Sequence, residues 1–577
     1  MMVGVLLVTA VFVALLVRLY ALQILRGEEL SSRGRRNYVQ RVEVLHDRGI
    51  IYDRYGRTLA DNRPILVAQV IPHFLGKEYE ATLQRLAEHL SLSEEALNDV
   101  RSTIMAKRGL DRFVPLVVKR NLTREEVEAV EADKSVFRLD GVDIVQGRRR
   151  TYPEGTLAAH LLGYVNEVDA EQLNEEKARG NPQQYQRGDL IGREGVENRY
   201  ESFLRGVDGY ENIVVDAKGR RMHGDQVESL LGINKRVEPQ PGKNVFLTVD
   251  MELQRIAEES FLGRAGALVA LDPNNGAVLA LVSKPAFDPN IVSGVLGPEE
   301  KRKLDEDPLK PWMNRAIRGQ YAPGSTFKVA TALAALYTGQ TTANEKVFCP
   351  GYFRMGRHTW RCWRDAGHGA VDLRSAIKVS CDTYFYTMAS RVGINAIADA
   401  ARALGFGAKT GISMRGEKEG LVPDEAFHNR VDAASGGYQR GMAVNTSIGQ
   451  GSMLVTPLQL AVAYASIANG GRRVTPQIIQ RIETADFRVV HRFSPDSLAT
   501  VGRDSGDLDL GNADMTEDRH LAEHVEGSAP RILQQFELGK SETMPFTPDQ
   551  LKLVHSGLVA VTSEPGGTAY YRVAHAR

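Results

Sequence analysis

Two residues with the chemistry of an acyl-transfer nucleophile and its base lie three positions apart, at Ser325 and Lys328. On a helix, side chains at i and i+3 share one face, so the amine can contact the hydroxyl. A serine hydroxyl becomes a strong nucleophile when a nearby base takes its proton, and burial or a second cation lowers the pKa of a lysine enough for that role. The spacing therefore predicts covalent catalysis through Ser325.

A second pair with the same spacing, Ser375 and Lys378, shows that the pattern by itself is weak. Ser325 follows Pro323 and Gly324, a turn that places it at a helix N-terminus, where free backbone N–H groups can stabilise an oxyanion. Ser375 lies inside a helical pattern instead. We therefore favour Ser325 as the nucleophile.

A hydroxyl and a carboxylate stand two residues apart at Ser380 and Asp382, 55 residues after Ser325. Both side chains reach one cleft only from a loop or a helix junction. A glycine-punctuated turn, Ser447 to Gly451, follows further along the chain. The order of these segments predicts a single catalytic cleft.

All three cysteines, Cys349, Cys362 and Cys381, fall within 33 residues, with His368 among them. Three thiolates and one imidazole form a ligand set typical of a closed, tetrahedral structural zinc site, so we expect one Zn²⁺ ion there. The alternative is a disulfide between Cys349 and Cys362 in an oxidising compartment, which leaves Cys381 as a small buried residue and gives His368 no role.

The size and composition of the chain exclude several classes of protein. A chain of 577 residues is long enough for about four domains. With 43% apolar and 25% charged residues it can bury real cores, which excludes wholesale disorder, a collagen-like fibre and a small disulfide scaffold. The 72 basic and 72 acidic residues cancel, so nothing in the charge indicates a nucleic-acid partner.

The N-terminus predicts a membrane anchor. Residues 1–17 carry no charge and the apolar character resumes after Arg18, so residues 1–25 are long enough to cross a bilayer as one helix. A cleaved signal peptide is the alternative, but no small-residue cleavage site follows. The basic residues all follow the span, which by itself would place the body inside the cell, unless a short basic tail precedes this sequence.

Beyond the anchor, the pattern predicts strands and helices in alternation. Residues 48–62 read as two strands around a turn, 80–134 as helical, and 195–206 as one amphipathic helix, before a boundary at residues 239–242. Strands are then expected at 244–250, 266–272 and 277–282, and helices at 325–337, 373–391 and 457–469. The acidic stretch 504–526 reads as a solvated insertion.

The segments Ala322–Lys328, Ser380–Asp382 and Ser447–Gly451 resemble the penicilloyl serine transferases. Residues 48–62, Arg150–Pro153 with Leu162–Val165, and Gly195–Glu197 resemble the pedestal of the class B penicillin-binding proteins. Asp382 in place of asparagine, together with Gly367–Gly369, is more similar to penicillin-binding protein 2, the elongation branch, than to the septal branch.

The resemblance implies an α+β fold: a transmembrane anchor at 1–25, an elongated mixed pedestal at 26–240, and a transpeptidase domain at 241–577 whose antiparallel sheet carries helices on both faces. It also implies a peptidoglycan D,D-transpeptidase of cell elongation. Ser325 would attack the penultimate D-alanine of a stem peptide or a β-lactam, Lys328 would take its proton, Ser380 would relay a proton to the leaving group, and Asp382 would hold the lysine and the substrate amide.

The implied location is the bacterial inner membrane, crossed once, with the body in the periplasm. The implied partners are stem peptides ending in D-Ala-D-Ala, a polytopic membrane glycosyltransferase and rod-shape proteins. Some relatives of this branch carry zinc in the interval of Cys349, Cys362, His368 and Cys381, which favours the metal over the disulfide. A septal enzyme, a catalytically silent scaffold and a β-lactam sensor are the alternatives.

One family motif, a Lys-Ser/Thr-Gly strand, is missing from the sequence. Lys540-Ser-Glu542 has the wrong third residue, because a carboxylate there would repel the carboxylate of the substrate. Residues 565–569 resemble the segment that precedes the motif. We therefore expect a fragment of a longer protein, or a short form with impaired catalysis.

Overall fold

The structure is a computed structural model, and it describes residues 12–25, 39–76, 79–109, 112, 114–137, 139–169, 171, 173, 174, 185, 189–214, 222, 236–294, 296–492 and 544–574. The chain forms two compact units. The first unit comprises residues 1–49, 62–151 and 203–243, and the second unit comprises residues 50–61, 152–202 and 244–577. The predicted boundaries at 25/26 and 240/241 stay a prediction.

The strands, numbered along the chain, are β1 Val39–Val44, β2 Ile51–Tyr52, β3 Thr58–Val70, β4 Leu116–Arg120, β5 Val142–Thr151, β6 Val165–Glu167, β7 Leu190–Gly192, β8 Gly209–Val214, β9 Arg236–Val237, β10 Asn244–Leu247, β11 Gly266–Leu271, β12 Val278–Lys284, β13 Val347–Cys349, β14 Tyr352–Met355, β15 His358–Arg361, β16 Gly369–Val371, β17 Ile479–Glu483 and β18 Val489–Arg492.

The α-helices are α1 Tyr79–His89, α2 Glu94–Ala106, α3 Arg124–Phe137, α4 Ala159–Leu162, α5 Gly195–Arg199, α6 Glu201–Leu204, α7 Met251–Glu259, α8 Pro289–Val292, α9 Pro298–Glu306, α10 Lys328–Tyr337, α11 Leu373–Lys378, α12 Asp382–Ala403, α13 Glu425–Val431, α14 Arg440–Thr446, α15 Pro457–Ala468, α16 Pro548–Ser563 and α17 Tyr570–Ala574. Two 3₁₀ turns, Gly324–Phe327 and Ala433–Ser435, and one π-helical turn, Ala21–Leu25, complete the set.

The first unit buries one stripe of each of its amphipathic helices. Leu83 and Leu86 of α1, Leu97 and Val100 of α2, and Val130 of α3 lie in one apolar core. Within this unit β3 pairs with β4 in the antiparallel sense, and β8 lies between β1 and β9. The helical pattern predicted for residues 80–134 is therefore wrong at β4, because this stretch is a strand held by its pairing with β3.

The second unit contains a mixed sheet. Its strand β10 runs parallel to β2, with Val245 opposite Ile51, and antiparallel to β17, with Asn244 opposite Glu483. The strands β11 and β12 form the predicted hairpin. The prediction of a wholly antiparallel sheet is wrong, because β2, from the N-terminal part of the chain, lies beside β10 in the same direction.

A buried helix pair forms the centre of the second unit. The eight consecutive residues from Lys328 to Ala335 of α10 are all buried, so this helix is enclosed on every side. Tyr384, Phe385 and Met388 of α12 belong to the same apolar core. The Ser325–Lys328 segment therefore leads into a helix that is anchored in the core of the unit.

Two predicted helices are interrupted. The helix expected at 373–391 is divided into α11 and α12 by residues 379–381, and the one expected at 195–206 is two short helices, α5 and α6. Both predictions rested on apolar periodicity, which registers neither the left-handed backbone at Ser380 nor the non-helical backbone at Tyr200, where φ is −109° and ψ is 24°.

Part of the predicted membrane anchor is visible. Residues 12–20 are α-helical and exposed, and the π turn follows. Among the described helices, none is both long enough and apolar enough to cross a membrane. Residues 1–11 of the anchor, the acidic stretch 504–526 and residues 540–542 lie outside the described residues.

Candidate active site

Ser325 lies on a short 3₁₀ turn that leads directly into α10. Gly324 begins the turn with a left-handed φ of 58°, which glycine adopts without strain. The N–H of Lys328 donates to the carbonyl oxygen of Ser325, which sets these two residues one turn apart. Phe327 is buried while Ser325 is exposed, so the turn is anchored in the core and presents its hydroxyl to solvent.

The turn Ser447–Gly451 packs directly against the nucleophile turn. The Gly324 N–H donates to the carbonyl oxygen of Gly449 at 3.0 Å. A Cβ on Gly449 would stand 2.4 Å from the Gly324 carbonyl oxygen, and φ at Gly449 is 69°, so both contact and conformation require glycine. The structure thus brings the turn Ser447–Gly451 into contact with the turn that carries Ser325.

Lys328 is the buried centre of the cluster. Its Nζ donates to Ser380 Oγ and to the Ser380 carbonyl oxygen, both at 2.9 Å, and to Asp382 Oδ1 at 2.6 Å. The Lys328 side chain is 4% exposed. Burial lowers the pKa of Lys328, while the charge of Asp382 acts in the opposite direction. The structure thus brings Lys328, Ser380 and Asp382 together, as expected.

Ser380 occupies a position that normally belongs to glycine. Its N–H donates to the carbonyl oxygen of Ile377 and the N–H of Cys381 to that of Ala376, which is the Schellman pattern that ends a helix. The residue after the cap must be left-handed in this pattern, and Ser380 has φ 51°. The junction turns the chain so that Asp382 begins α12 beside Ser380.

Trp363 is a member of the site that the sequence did not indicate. Its backbone N–H donates to Asp382 Oδ2 at 2.9 Å, and its indole Nε1 donates to the carbonyl oxygens of Val379 and Ser380, both at 3.0 Å. Asp382 therefore holds one oxygen against Lys328 and the other against this N–H. The sequence offered one indication of its role, the position of Trp363 next to Cys362. Trp363 was missed because a tryptophan side chain has no acid–base chemistry.

The second Ser-x-x-Lys pair lies elsewhere. The Ser375 N–H donates to Asp372, the N-cap of α11, and Lys378 Nζ lies 3.0 Å from Glu564. Ser375 takes part in the N-terminal cap of α11, and Lys378 forms an ion pair with Glu564. These structural roles agree with the preference for Ser325 as the nucleophile.

The three thiols and the imidazole also meet, beside the catalytic cluster. The ligand atoms of Cys349, Cys362, His368 and Cys381 all lie within 4.8 Å of one another. His368 Nδ1 is 3.7 Å from the Cys349 sulfur and 3.5 Å from the Cys362 sulfur. All three cysteines are free, so the structure does not contain the alternative Cys349–Cys362 disulfide.

The chemistry of this donor set fits zinc. Ligands about 2.3 Å from a tetrahedral ion stand nearly 4 Å apart, which agrees with the observed separations. The hydrogen bond between the two thiols lowers the pKa of Cys362 and raises the pKa of Cys381, so without a metal ion Cys362 is the thiolate of this pair, and the thiolate is the form that binds metals. Cys381 is also the N-cap of α12, next to Ser380 and Asp382.

Comparison with known proteins agrees with this site. Residues 266–576 match the model of the penicillin-binding protein transpeptidase domain, and residues 44–247 match that of the penicillin-binding protein dimerisation domain. The peptidoglycan D,D-transpeptidase MrdA of Acinetobacter baumannii is 35% identical over 477 residues, covering 82% of this chain and 68% of the relative. MrdA of Escherichia coli K12 is 33% identical over 481 residues, covering 82% and 72%.

Solved structures share the fold. A complex between penicillin-binding protein 2 and MreC from Helicobacter pylori has a TM-score of 0.70 at 24% identity, covering 92% of this chain and 86% of the other. Penicillin-binding protein 2 of Pseudomonas aeruginosa in complex with WCK 5153 has a TM-score of 0.60 at 27% identity, covering 93% and 83%. The chain therefore belongs to the class B penicillin-binding proteins, with relatives in the penicillin-binding protein 2 (MrdA) branch, as the sequence predicted.

Proposed function

We propose that this chain is a peptidoglycan D,D-transpeptidase of cell elongation that works through an acyl-enzyme on Ser325. The observation that carries the proposal is the buried Lys328 amine, bonded to Ser380 and Asp382 and one turn from the exposed Ser325 hydroxyl. The predicted activity is also the one for which the MrdA relatives are named.

In the first half-reaction Ser325 Oγ attacks the carbonyl carbon of the penultimate D-alanine. The Ser325 proton passes to neutral Lys328, whose pKa burial has lowered, so the base is accessible closer to neutral pH than a free lysine. The C–N bond to the terminal D-alanine breaks, and the leaving amine takes a proton through Ser380, whose hydroxyl lies 2.9 Å from Lys328 Nζ.

In the second half-reaction an amine of a neighbouring stem peptide attacks the Ser325 ester. Its proton returns through Ser380 and Lys328, and Ser325 leaves as the free hydroxyl. Water in place of the amine would give carboxypeptidase activity. A β-lactam would acylate Ser325 by opening its ring, and the resulting ester would persist.

Covalent labelling by a fluorescent penicillin tests the proposal. We expect a full-length form that includes the Lys-Ser/Thr-Gly motif to be labelled, its Ser325→Ala variant to lose the label completely, and its Ser375→Ala variant to keep it. Ser375 is the matched control, because it belongs to the same Ser-x-x-Lys pattern but lies in the N-terminal cap of α11, and its lysine, Lys378, pairs with Glu564. A folded protein that is not labelled would refute the enzyme and favour the silent scaffold.

The predicted surroundings remain part of the proposal. We place the chain in the bacterial inner membrane through residues 1–25, with the remainder in the periplasm. The polytopic glycosyltransferase and the rod-shape proteins are its proposed partners, on the basis of the branch to which its relatives belong.

We also propose that Cys349, Cys362, His368 and Cys381 hold one Zn²⁺ ion. A zinc ion with four protein ligands cross-links chain segments and has no open position for substrate. The ligands come from β13, from the segments flanking β15 and β16, and from the start of α12. Such a crosslink would hold the segment that carries Ser380 and Asp382.

A further inference from the structure

A short hairpin beside the catalytic cluster carries an unbalanced positive charge. Residues 352–364, which include β14 and β15, contain four arginines and no acidic residue, in a chain whose acidic and basic residues are equal in number. All four are exposed. We call Arg354, Arg357, Arg361 and Arg364 the hairpin arginines.

Among the described residues, the hairpin arginines lack the ion pairs that several other arginines of the same unit form. Arg374, Arg391 and Arg402 each lie against a glutamate or aspartate. Within the part of the chain that the structure describes, none of the hairpin arginines forms an ion pair or donates a side-chain hydrogen bond to another residue. Arg354 lies over the Tyr352 ring, 5.8 Å from its centroid, and the N–H donors of all four exposed guanidinium groups are accessible to a ligand.

The register of the hairpin places two of these groups on one face. Arg354 is opposite Thr359, and Arg361 is opposite Tyr352, so Arg354 and Arg361 are diagonal neighbours on the outward side. Like charges on one face of a strand pair repel each other. An anion between them would remove that repulsion.

The inward face of the hairpin fixes its position. Phe353 pairs with Trp360, and the Phe353 ring lies 6.1 Å from the ring of Tyr386 on α12. Trp360 Nε1 donates at 2.9 Å to Asn445 Oδ1 on α14, two residues before Ser447.

The hairpin is also bonded to the catalytic cluster. Trp363, two residues after Arg361, donates its N–H to Asp382 Oδ2 at 2.9 Å. The basic face is therefore held in a fixed place next to the residues that surround Lys328.

We propose that the hairpin arginines bind the carboxylates of an acidic peptide, and that this peptide is a stem peptide presented to Ser325. The identification of this peptide as a stem peptide rests on the proposed function. A guanidinium group offers two parallel N–H donors that match a carboxylate, and Arg354 and Arg361 lie close enough together to engage one peptide. This surface would favour stem peptides that keep free carboxylates over amidated ones.

The test measures peptide binding by calorimetry in the Ser325→Ala background, where no acyl-enzyme forms. The probes are a synthetic pentapeptide that ends in D-Ala-D-Ala and carries two further free carboxylates, and the same peptide with those two carboxylates amidated. We expect Arg354→Gln/Arg361→Gln to raise the Kd of the acidic peptide at least fivefold and to change the Kd of the amidated peptide less than twofold.

Two further variants make the result specific. Arg124→Gln/Arg488→Gln removes the same charge from exposed positions elsewhere and should leave both Kd values within twofold of the parent. Arg354→Lys/Arg361→Lys keeps the charge and should recover most of the affinity for the acidic peptide, which excludes misfolding as the cause.

A smaller than fivefold change for the acidic peptide, or an equal change for both peptides, would overturn the inference. Penicillin labelling of the protein with Ser325 intact tests the proposed function separately. Labelling without charge-dependent peptide binding would refute the hairpin surface alone, whereas charge-dependent binding without labelling would refute the transpeptidase alone.

Discussion

Lys328 and Asp382 face each other at the starts of two packed helices, with Nζ 2.6 Å from Oδ1 and side-chain exposures of 4% and 12%. Removal of the charge of a buried partner leaves the other charge uncompensated, so this pair is costly to break. Because Trp363 holds the second carboxylate oxygen, Asp382 cannot turn away from the lysine without losing another hydrogen bond.

The substitution Asp382→Asn should change the pH dependence of acylation. Asp382 raises the pKa of Lys328 against the effect of burial, so its removal lowers that pKa further. Acylation needs the neutral amine and rises with pH through this pKa, so the midpoint should move to lower pH. The plateau rate should fall by about tenfold to a hundredfold, because the amine loses its orientation.

Rates of penicillin labelling between pH 5 and pH 10 would measure this shift. Asp399→Asn is the control, since the Asp399 side chain is 76% exposed and pairs with Arg402, and the pH profile of this variant should match that of the parent. A midpoint that stays in place in Asp382→Asn would contradict the assignment of Lys328 as the base.

Ser380→Gly should separate stability from catalysis. A non-glycine residue in the left-handed conformation costs about 1–2 kcal/mol. Glycine removes this cost but loses more backbone entropy on folding, so only part of the free energy is regained. We expect the free energy of unfolding to hold or rise by up to ~1 kcal/mol, and labelling to slow by about a hundredfold, because the proton relay is lost.

Ser91 provides a matched control for this substitution. It has φ 49° and ends α1 with the same pair of bonds, Ser91 N–H to Glu88 and Leu92 N–H to Ala87. Ser91→Gly should gain similar stability in thermal unfolding and keep the parent labelling rate. Normal labelling of Ser380→Gly would remove the hydroxyl from the mechanism.

Gly449→Ala should displace the nucleophile turn. Its Cβ would meet the Gly324 carbonyl oxygen at 2.4 Å, in addition to the left-handed strain. We expect a loss of about 2–3 kcal/mol in the free energy of unfolding and at least a tenfold slower labelling rate.

Gly470→Ala isolates the strain from the crowding. Gly470 has φ 84°, and a Cβ there would meet nothing within 4 Å. The free energy of unfolding of Gly470→Ala should fall by only about 1 kcal/mol, and its labelling rate should match that of the parent. Equal effects of the two substitutions on labelling would show that contact with Gly324 is unimportant.

Metal analysis of the purified protein should find one zinc per chain. Cys349→Ser, which alters a ligand outside the catalytic segment, should reduce the zinc content and the melting temperature. Chelation should do the same, and zinc should restore both. Labelling should slow on chelation, because Cys381 lies between Ser380 and Asp382.

Two results would count against this prediction. A protein without zinc, whose mass shows two hydrogens lost, would support the disulfide. If the protein labels at the parent rate after chelation, the zinc ion has a structural role only, and its coupling to the catalytic residues is refuted.

The catalytic chemistry could be predicted from the sequence because it depends on residue type at short spacing. Ser325 and Lys328, and the cysteine and histidine cluster, were proposed in this way, whereas Ser380 and Asp382 were proposed from their order along the chain and from the family resemblance. The apolar helices α10 and α15 were also predicted close to their observed bounds, because each is a local run of mostly apolar residues.

Tertiary structure alone decided how these residues meet. The left-handed backbone at Ser380, the parallel pairing of β2 with β10, and the contacts of Trp363 with Asp382 join residues by conformations and long-range bonds that leave no periodic trace. Local preferences determine which segments become helices and strands, but burial selects which of them pack together, and a catalytic cluster forms only after that selection.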